Sequence, residues 1–393
     1  MTMDLSDLKE QVVARIDARR ADLIALSRNM QSHPETAFQE HQAIAWLMGE
    51  LKQLGYAVES GVADLPTAFV GTLSSGRPGP CIGIIAEYDA LPGVGHGCGH
   101  NLIAASAMGA AMGVAAAMPT LPGTVKVFGT PAEDYTEGRA GKLLMLDKDV
   151  FAGVDACLFF HPLTRSLAPR RDLGFIIVEA TFGGRPAHAA ADPWNGLNAL
   201  DGVFLAYSGL SAMRQQMHPE ARVHFIVTQG GEAVNIIPSQ AALRIMFRSP
   251  DSAYLDELND MIVKVLQGAA QASRTSLVLK QVTRILNTKF NPALCRLVTG
   301  NLAAVGEQVQ EQDFLAISGD FGNLSQAVPS FYFTLQTHPP GTNWHSHEVA
   351  NLAISDGAHE AMLQAAKGIG MSVVDLLRDV GLVAEIAQHF ASG

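Results

Sequence analysis

Three short apolar runs constrain the fold most: CIGIIAEYD (81–89), GTVKVFGTP (123–131) and VDACLFFHP (154–162). Each is too short for a typical helix and rich in residues that favour strands. Residues 102–118 and 137–148 separate them and carry helical patterns, with Asn101 placed to cap the first. A β-α-β-α-β order with apolar strands predicts an α/β layer around a mainly parallel, buried sheet. Upstream, residues 5–54 read as two helices broken by SHPETAFQE.

The middle of the chain changes character. GFIIVEATFGG (174–184) reads as a strand and residues 195–216 as a helix. RVHFIVTQGG (222–231) and IIPSQAALRIMFRS (236–249) read as strands joined by a tight glycine-containing link. Residues 251–273 are helical in pattern, and TSLVLKQV (275–282) is a further strand. That order, β-α-β-β-α-β, is the order of a ferredoxin-like sandwich. After about residue 285 the first pattern resumes, with VPSFYFTLQ (328–336) as another buried strand and a helical stretch at the end. A chain of 393 residues exceeds one ordinary core. The expected organisation is a discontinuous α/β domain of residues 1–172 and 284–393, with a smaller α+β domain of residues 173–283 inserted in it.

Composition narrows the function classes. Hydrophobic residues make up 48% and charged residues 17%, as in a globular protein. A formal net charge of −11 without a Lys/Arg-rich run argues against nucleic acid or an anionic membrane as partner. The Ala/Gly-rich stretch at 102–118 is short for a membrane span and is expected as a buried core helix. The charged N-terminus shows no apolar signal region. Cys81, Cys98, Cys157 and Cys295 are too scattered for a disulfide framework, so a cytoplasmic location is expected.

In open α/β sheets, functional groups collect beyond the carboxyl ends of the strands. Asp89 closes the first run, and the loop VGHGCGHN (94–101) follows. Glu133 and Asp134 lie just past GTVKVFGTPA at the end of the second, His161 follows ACLFF near the end of the third, and His345 and His347 lie beyond SFYFTLQ. Cys98 and His100 are two residues apart, so in an extended segment their side chains share a face. Glycines at 97 and 99 allow both to bend toward one centre, and thiolate with imidazole suits zinc and similar ions. His96 shares the spacing, but three ligands from five residues strain one loop, so support of a ligand is its expected role. Adjacent Glu133 and Asp134 point apart, which suits one as ligand and the other as proton carrier for water activated by a metal. A Cys98 nucleophile paired with a histidine is the competing reading. It leaves Glu133, Asp134, His161 and His345 without work.

The segments EYDALPGVGHGCGHNLIAASAMG, TPAEDYTEG, FFHP, GRPAHAAADPWNGLNALDG, EAVNIIPSQAALRIMFRS, SGDFGNLSQAVPS and GTNWHSHE together resemble the peptidase M20 amidohydrolases. The likeness is greatest to the branch of aminobenzoyl-glutamate hydrolases and aminoacylase-related M20-domain dipeptidases, and it covers nearly the whole chain. The resemblance implies an α/β, zinc-peptidase-like catalytic domain with an inserted ferredoxin-like lid used for dimerisation. It implies Cys98, His100, Asp134, His161 and His345 as metal ligands, with Cys98 able to bridge two ions. Glu133 is implied as the catalytic base and Asp89 as the carboxylate behind a ligand. In the lid, His188 would polarise the scissile carbonyl, often across the dimer, and Asn235 and Arg248 would hold a substrate carboxylate. Two positions depart from the family: Asp134 stands where a glutamate is usual, and His347 is a second histidine in HSHE. The expected protein is a homodimeric metal-dependent amidohydrolase with one or two Zn or Mn ions per subunit. Its expected substrate is a small N-acyl or aminobenzoyl amino acid or a dipeptide. The Asp134 departure leaves a non-catalytic metal- or metabolite-binding member as the alternative.

Overall fold

The computed structural model describes residues 4–135 and 137–392. Helices α1 (Leu5–Ala18), α2 (Arg20–Ser32) and α3 (His41–Gln53) precede strands β1 (Ala57–Ser60), β2 (Phe69–Ser74) and β3 (Cys81–Glu87). Helix α4 (His100–Ala117) leads to β4 (Thr124–Thr130), and α5 (Gly141–Leu146) to β5 (Ala156–Leu163) and β6 (Leu167–Arg171). The chain then runs through β7 (Gly174–Gly183), α6 (Ala199–Met213), β8 (Arg222–Gln229), β9 (Gln240–Ser249), α7 (Ser252–Ser273) and β10 (Ser276–Ile285). It continues with α8 (Pro292–Ala304), β11 (Gln310–Phe314), α9 (Phe321–Ala327), β12 (Ser330–Gln336), α10 (His347–Leu352), α11 (Asp356–Arg378) and α12 (Val380–Ser392).

Eight strands form the large sheet in the order β1-β2-β4-β3-β5-β12-β6-β11. Its centre, β4-β3-β5-β12, is parallel throughout. Strands β6 and β11 are also parallel, while antiparallel pairs occur at β1–β2, β2–β4 and β12–β6, so the sheet is mainly parallel, as expected, with antiparallel additions toward its edges. Strands β1 and β11 escape the hydrophobic pattern because they are mostly exposed, and β11 reads QEQDF. An edge strand needs no apolar run, and charge there discourages pairing with other chains.

Helix α4 lies at the centre of the large core and is buried on nearly every side. Its small residues let neighbours approach closely: a Cβ on Gly109 would sit 2.9 Å from Ala366, and one on Gly113 would sit 2.7 Å from Val12. Among the described residues, this is the helix long and apolar enough to cross a membrane, yet 83% of that window is buried inside the protein. The N-terminal region holds three helices, not two, because the chain turns at Arg19 (φ −112°). The continuous pattern hid that turn, since Leu8, Val12, Ile16, Leu23, Leu26 and Met30 all reach the same core.

The second sheet is antiparallel, ordered β10-β7-β9-β8, with α6 and α7 on one face. Alternation explains that face: Ile176, Val178, Ala180 and Phe182 of β7 meet Leu243, Ile245 and Phe247 of β9 beneath Val203, Leu258 and Ile262. Asp251 caps α7 by accepting the Ala253 and Tyr254 amides. The link between β8 and β9 is not a tight turn. Residues 230–239 leave the sheet, and their backbone instead pairs with residues 187–189.

The other face of the small sheet turns toward the large one. Phe175, Ile177, Val282 and Ile285, with Met246 against them, pack on Ala140 and Leu143 beside α5. The two chain crossings are tied together. Asp172, before β7, accepts the backbone N–H of Thr288, after β10, at 2.6 Å, and the hydroxyl of Tyr332 on β12 at 3.1 Å. Fully buried carboxylates persist only with such donors, so this bond set fixes how the small sheet stands over the large one.

Candidate active site and metal centre

The four central parallel strands end on one side of the sheet. Strand β3 ends at Glu87, two residues before Asp89, and the loop from there leads into α4. Cys98 and His100 are not on an extended segment as expected. Gly99, with φ 77°, is the N-cap of α4 and His100 its first residue. A Cβ at Gly99 would lie 2.7 Å from Pro162 on β5, so only glycine turns this corner. Asn101, the expected cap, sits inside the first turn and donates to Ser27 Oγ at 2.9 Å. The turn still brings the Cys98 and His100 side chains together. His161 lies near the end of β5, inside the expected strand of residues 154–162. His345 adopts a left-handed φ of 58°, and its N–H bonds to the Gly97 carbonyl at 3.2 Å, which links two of the loops.

Two ligands of one zinc-sized ion lie within about 4.4 Å of each other. Cys98 Sγ is 3.5 Å from His161 Nε2. His100 Nε2 is 3.7 Å from Glu133 Oε2 and 4.0 Å from Asp134 Oδ2. His345 Nε2 is 3.8 Å from Asp134 Oδ1. The two oxygens of Asp134 therefore face different histidines, and the shorter side chain still spans both. His100 Nε2 and Asp134 Oδ2 are buried without a hydrogen-bond partner among the described residues. Orphaned atoms of this kind are costly, and a divalent ion satisfies both, so the residues fit a metal. The other ring nitrogens are engaged: His100 Nδ1 lies 3.0 Å from Asp89 Oδ1, and His161 Nδ1 lies 2.8 Å from the Pro162 carbonyl. This leaves each Nε2 free to ligate.

A third acidic group, Glu87, Glu133 and Asp320, also has ligand-like spacing. It already contains a cation: the buried Lys142 ammonium is 2.6 Å from Glu87 Oε1 and 2.6 Å from Asp320 Oδ1.

Electrostatics follow from this crowding. Burial, with Glu87, Asp134 and Asp320 nearby, raises Glu133 well above the usual carboxylate range. Burial also raises Asp134 to about 7, against the pull of His100. The Cys98 thiol is pushed up to about 12 by burial and by Asp134, while burial pushes His161 down to about 4. Both shifts oppose a thiolate–imidazolium pair, so the Cys98–His161 contact is poorly set for a nucleophile.

Several residues at the site were not singled out from the sequence. Glu40 is fully buried and its Oε1 accepts the N–H groups of Phe38 at 2.9 Å and Ala132 at 3.0 Å. Ala132, directly before Glu133, has φ 57°, a conformation that costs about 1–3 kcal/mol and must be held from outside. Glu40, Glu87, Lys142 and Asp320 lie far apart in sequence, and each alone reads as a solvated charge. His96 is buried beside the ligand loop and pushed down to about 3 by burial, and it lies outside the ligand groups among the described residues. His347 starts α10 and lines a separate depression with Thr36 and Leu91.

A cavity of about 300 Å³ joins the two sheets. Cys98, Glu133, His161 and His345 line it on one side, and Phe175, Met246, Arg248 and Ile285 on the other. The Arg248 Nη1 donates to Ser318 Oγ at 2.9 Å, and the guanidinium stands 5.3 Å from the Phe175 ring centre. Among the described residues no carboxylate lies within 4 Å of it. His188 and Asn235 are not brought to this cavity. Both are exposed, on the paired loops beyond the small sheet, where the Ala189 N–H bonds to the Asn235 carbonyl at 3.0 Å. The His188 ring is turned onto its own loop, accepting the Ala190 and Ala191 amides at 3.2 and 3.1 Å.

Comparison with known proteins agrees with this picture. The sequence profile of Peptidase family M20/M25/M40 matches residues 83–366. The chain is 34% identical to the Xaa-Arg dipeptidase of Mus musculus, covering 98% of this chain and 93% of that protein. It is 28% identical to one of the subunits of the p-aminobenzoyl-glutamate hydrolase of Escherichia coli K12, covering 95% of this chain and 93% of that subunit. A Bacillus subtilis crystal structure described as a dinuclear metal binding peptidase from the M20 family shares the fold, with a TM-score of 0.74 at 21% identity over 93% of this chain and 100% of that one. The chain belongs to Peptidase family M20/M25/M40 and is a hydrolytic enzyme acting on amide bonds.

Proposed function

We propose that the protein is a metal-dependent amidohydrolase that releases an amino acid from an N-acyl or aminobenzoyl amino acid or a dipeptide. The observation that carries this reading is the meeting of Cys98, His100, His161, Glu133 and Asp134 at one end of the cavity, with Arg248 on its facing wall. The Xaa-Arg dipeptidase and the p-aminobenzoyl-glutamate hydrolase support the substrate class. A dipeptide and aminobenzoyl-glutamate share an amide whose nitrogen belongs to an amino acid with a free carboxylate.

Cys98, His100, Asp134, His161 and His345 would hold one or two ions. One thiolate among imidazoles and carboxylates suits Zn, with Mn as the second candidate. The chemistry supplied by a divalent ion here is Lewis acidity, which polarises a carbonyl and lowers the pKa of water to ~7. Glu133 takes the proton from the attacking water and delivers it to the leaving nitrogen. Its surroundings suit both steps, because the negative neighbours that raise its pKa favour the protonated form it needs as acid. Arg248 holds the substrate carboxylate with its planar fork. Asp89 keeps His100 and Asp134 in place. The small domain serves as lid and dimerisation surface, a role supported by exposed Trp194, Phe204, Tyr207, Ile226 and Val234. His188 and Asn235 lie on that same domain, where a second copy of the chain would bring them to use.

A panel of N-acyl amino acids, aminobenzoyl-glutamate and dipeptides, assayed after chelation and after reconstitution with Zn, Mn or Co, tests this function. Hydrolysis of a panel member that is lost with the metal and restored with it is the expected result. Full activity after exhaustive chelation would overturn the metal reading, and tight metal with no turnover would favour a binding protein.

A further inference from the structure

We infer that Asp172 is the counter-charge for a cationic side chain on the released amino acid, and so determines which substrates the cavity accepts. It rests on the amidohydrolase reading above and narrows it to substrates that end in a basic residue.

Asp172 is 6% exposed and lines the cavity together with Arg248, Thr288, Phe321 and Tyr332. Its hydrogen-bond partners are all neutral. Oδ1 accepts the Thr288 N–H at 2.6 Å, and Oδ2 accepts the Thr288 and Tyr332 hydroxyls. Burial raises the carboxyl above its usual range, and these three donors pull it back toward the ionised form. The cations next to it in the chain are turned elsewhere. Arg170 pairs with Glu311, Arg171 with Glu220 and Asp313, and the Lys289 ammonium stands over the Phe390 ring. Among the described residues no Lys, Arg or His nitrogen lies within 4 Å of the Asp172 carboxylate. A buried carboxylate is seldom left without a positive partner. The cavity is where such a partner can reach this one.

Arg248 is the opposite case, a cation in the cavity without a carboxylate. The two charges come from the same end of the small sheet, because Asp172 leads into β7, where Phe175 pairs with Arg248 of β9. A substrate carboxylate held by Arg248 brings its α-carbon to that end, and the side chain of the released amino acid branches from that carbon. The cavity thus offers one charge of each sign to a single amino acid. Its wall suits a cation as well. Phe175, Phe321 and Tyr332 line it, with the last two ring centres 5.6 Å apart, and aromatic faces attract ammonium and guanidinium groups. A glutamate side chain in the same place would meet Asp172 as a like charge.

The test is hydrolysis of the acetyl and alanyl derivatives of arginine, citrulline and leucine by the metal-loaded, full-length protein. Citrulline matches arginine in shape and lacks its charge, so the ratio of kcat/KM between the two reads the charge alone. In the wild type this ratio is expected to be about 10–100, the range for a charged hydrogen bond. Asp172→Asn keeps an oxygen for the Thr288 N–H and is expected to bring the ratio near one. A purely structural Asp172 would lower turnover of all derivatives alike, and an unchanged ratio in the variant would overturn the inference. A wild-type ratio near one would overturn it too, whether or not the variant folds. A loss in Asp172→Asn shared by all three alanyl derivatives and absent from the acetyl series would assign Asp172 to the free amine of a dipeptide, and would also overturn it. Each of these results leaves the amidohydrolase reading standing. No hydrolysis of any derivative would overturn that reading and this inference with it.

Discussion

Asp89 grips His100 twice: the imidazole Nδ1 lies 3.0 Å from both the Asp89 side-chain Oδ1 and its backbone carbonyl. The other carboxylate oxygen accepts the Asp134 N–H at 3.0 Å. One buried side chain therefore positions a ligand from the helix start and a ligand from the loop after β4. Asp89→Asn is expected to lower metal affinity about 10–100-fold with the fold intact, as loss of a supporting partner does elsewhere. Metal titration with circular dichroism checks this, and unchanged affinity would contradict it.

Arg248 stands in the cavity without a carboxylate partner among the described residues, so its role is legible in kinetics. Arg248→Ala is expected to reduce kcat/KM about 10–100-fold for substrates with a free carboxylate, the loss expected for a charged hydrogen bond. The matching methyl esters should be nearly unaffected. Arg248→Lys is expected to restore little, because an ammonium lacks the bidentate fork. Equal losses on acid and ester would assign Arg248 to packing.

Metal binding should be visible in stability. The site gathers Glu87, Asp89, Glu133, Asp134 and Asp320 around the Lys142 ammonium and the His100 ring. An ion that binds only the folded state adds about 2.7 kcal/mol at a hundred times its Kd. Removal by a chelator is expected to lower Tm, and readdition of Zn or Mn to restore it. A Tm indifferent to both would contradict a folded-state metal site.

Glu40 gives a pH dependence with a definite sign. Burial and Asp89 raise it to about 7 in the folded chain, whereas an unfolded glutamate titrates near about 4.3. Between those values the folded state holds a proton that the unfolded state has lost. Stability of the metal-free protein therefore falls as pH rises through this window and levels off above it. The contribution is at most about 4 kcal/mol. Glu40→Gln keeps an acceptor for Phe38 and Ala132 and is expected to flatten this slope in urea unfolding at pH 5 and pH 8. Parallel pH dependence in both proteins would rule out the assignment.

Legibility in the sequence tracked burial. The central strands β3, β4, β5 and β12 are apolar runs because both faces are covered, and their ends mark where Asp89, Glu133, Asp134 and His161 lie. The polar edge strand β11 carries no such pattern. The bend at Gly99 was legible from its glycine, but the close approach of Pro162, which leaves no room for a side chain there, is concealed by sequence separation. The Glu87–Lys142–Asp320 group likewise depends on contacts between distant segments, so each member alone reads as a surface charge. Asn235 and His188 were assigned from resemblance alone, and within one chain they remain on the exposed loops.

The central claim is that Glu133 moves the proton while the neighbouring side chains hold the metal. Glu133→Gln, loaded with metal and assayed on the best substrate of the panel, addresses it most directly. The predicted result is a fall in kcat of at least about 1000-fold, the upper part of the range for a lost general base, while bound metal and substrate affinity stay near wild type. Retained turnover in that variant, with metal in place, would contradict it.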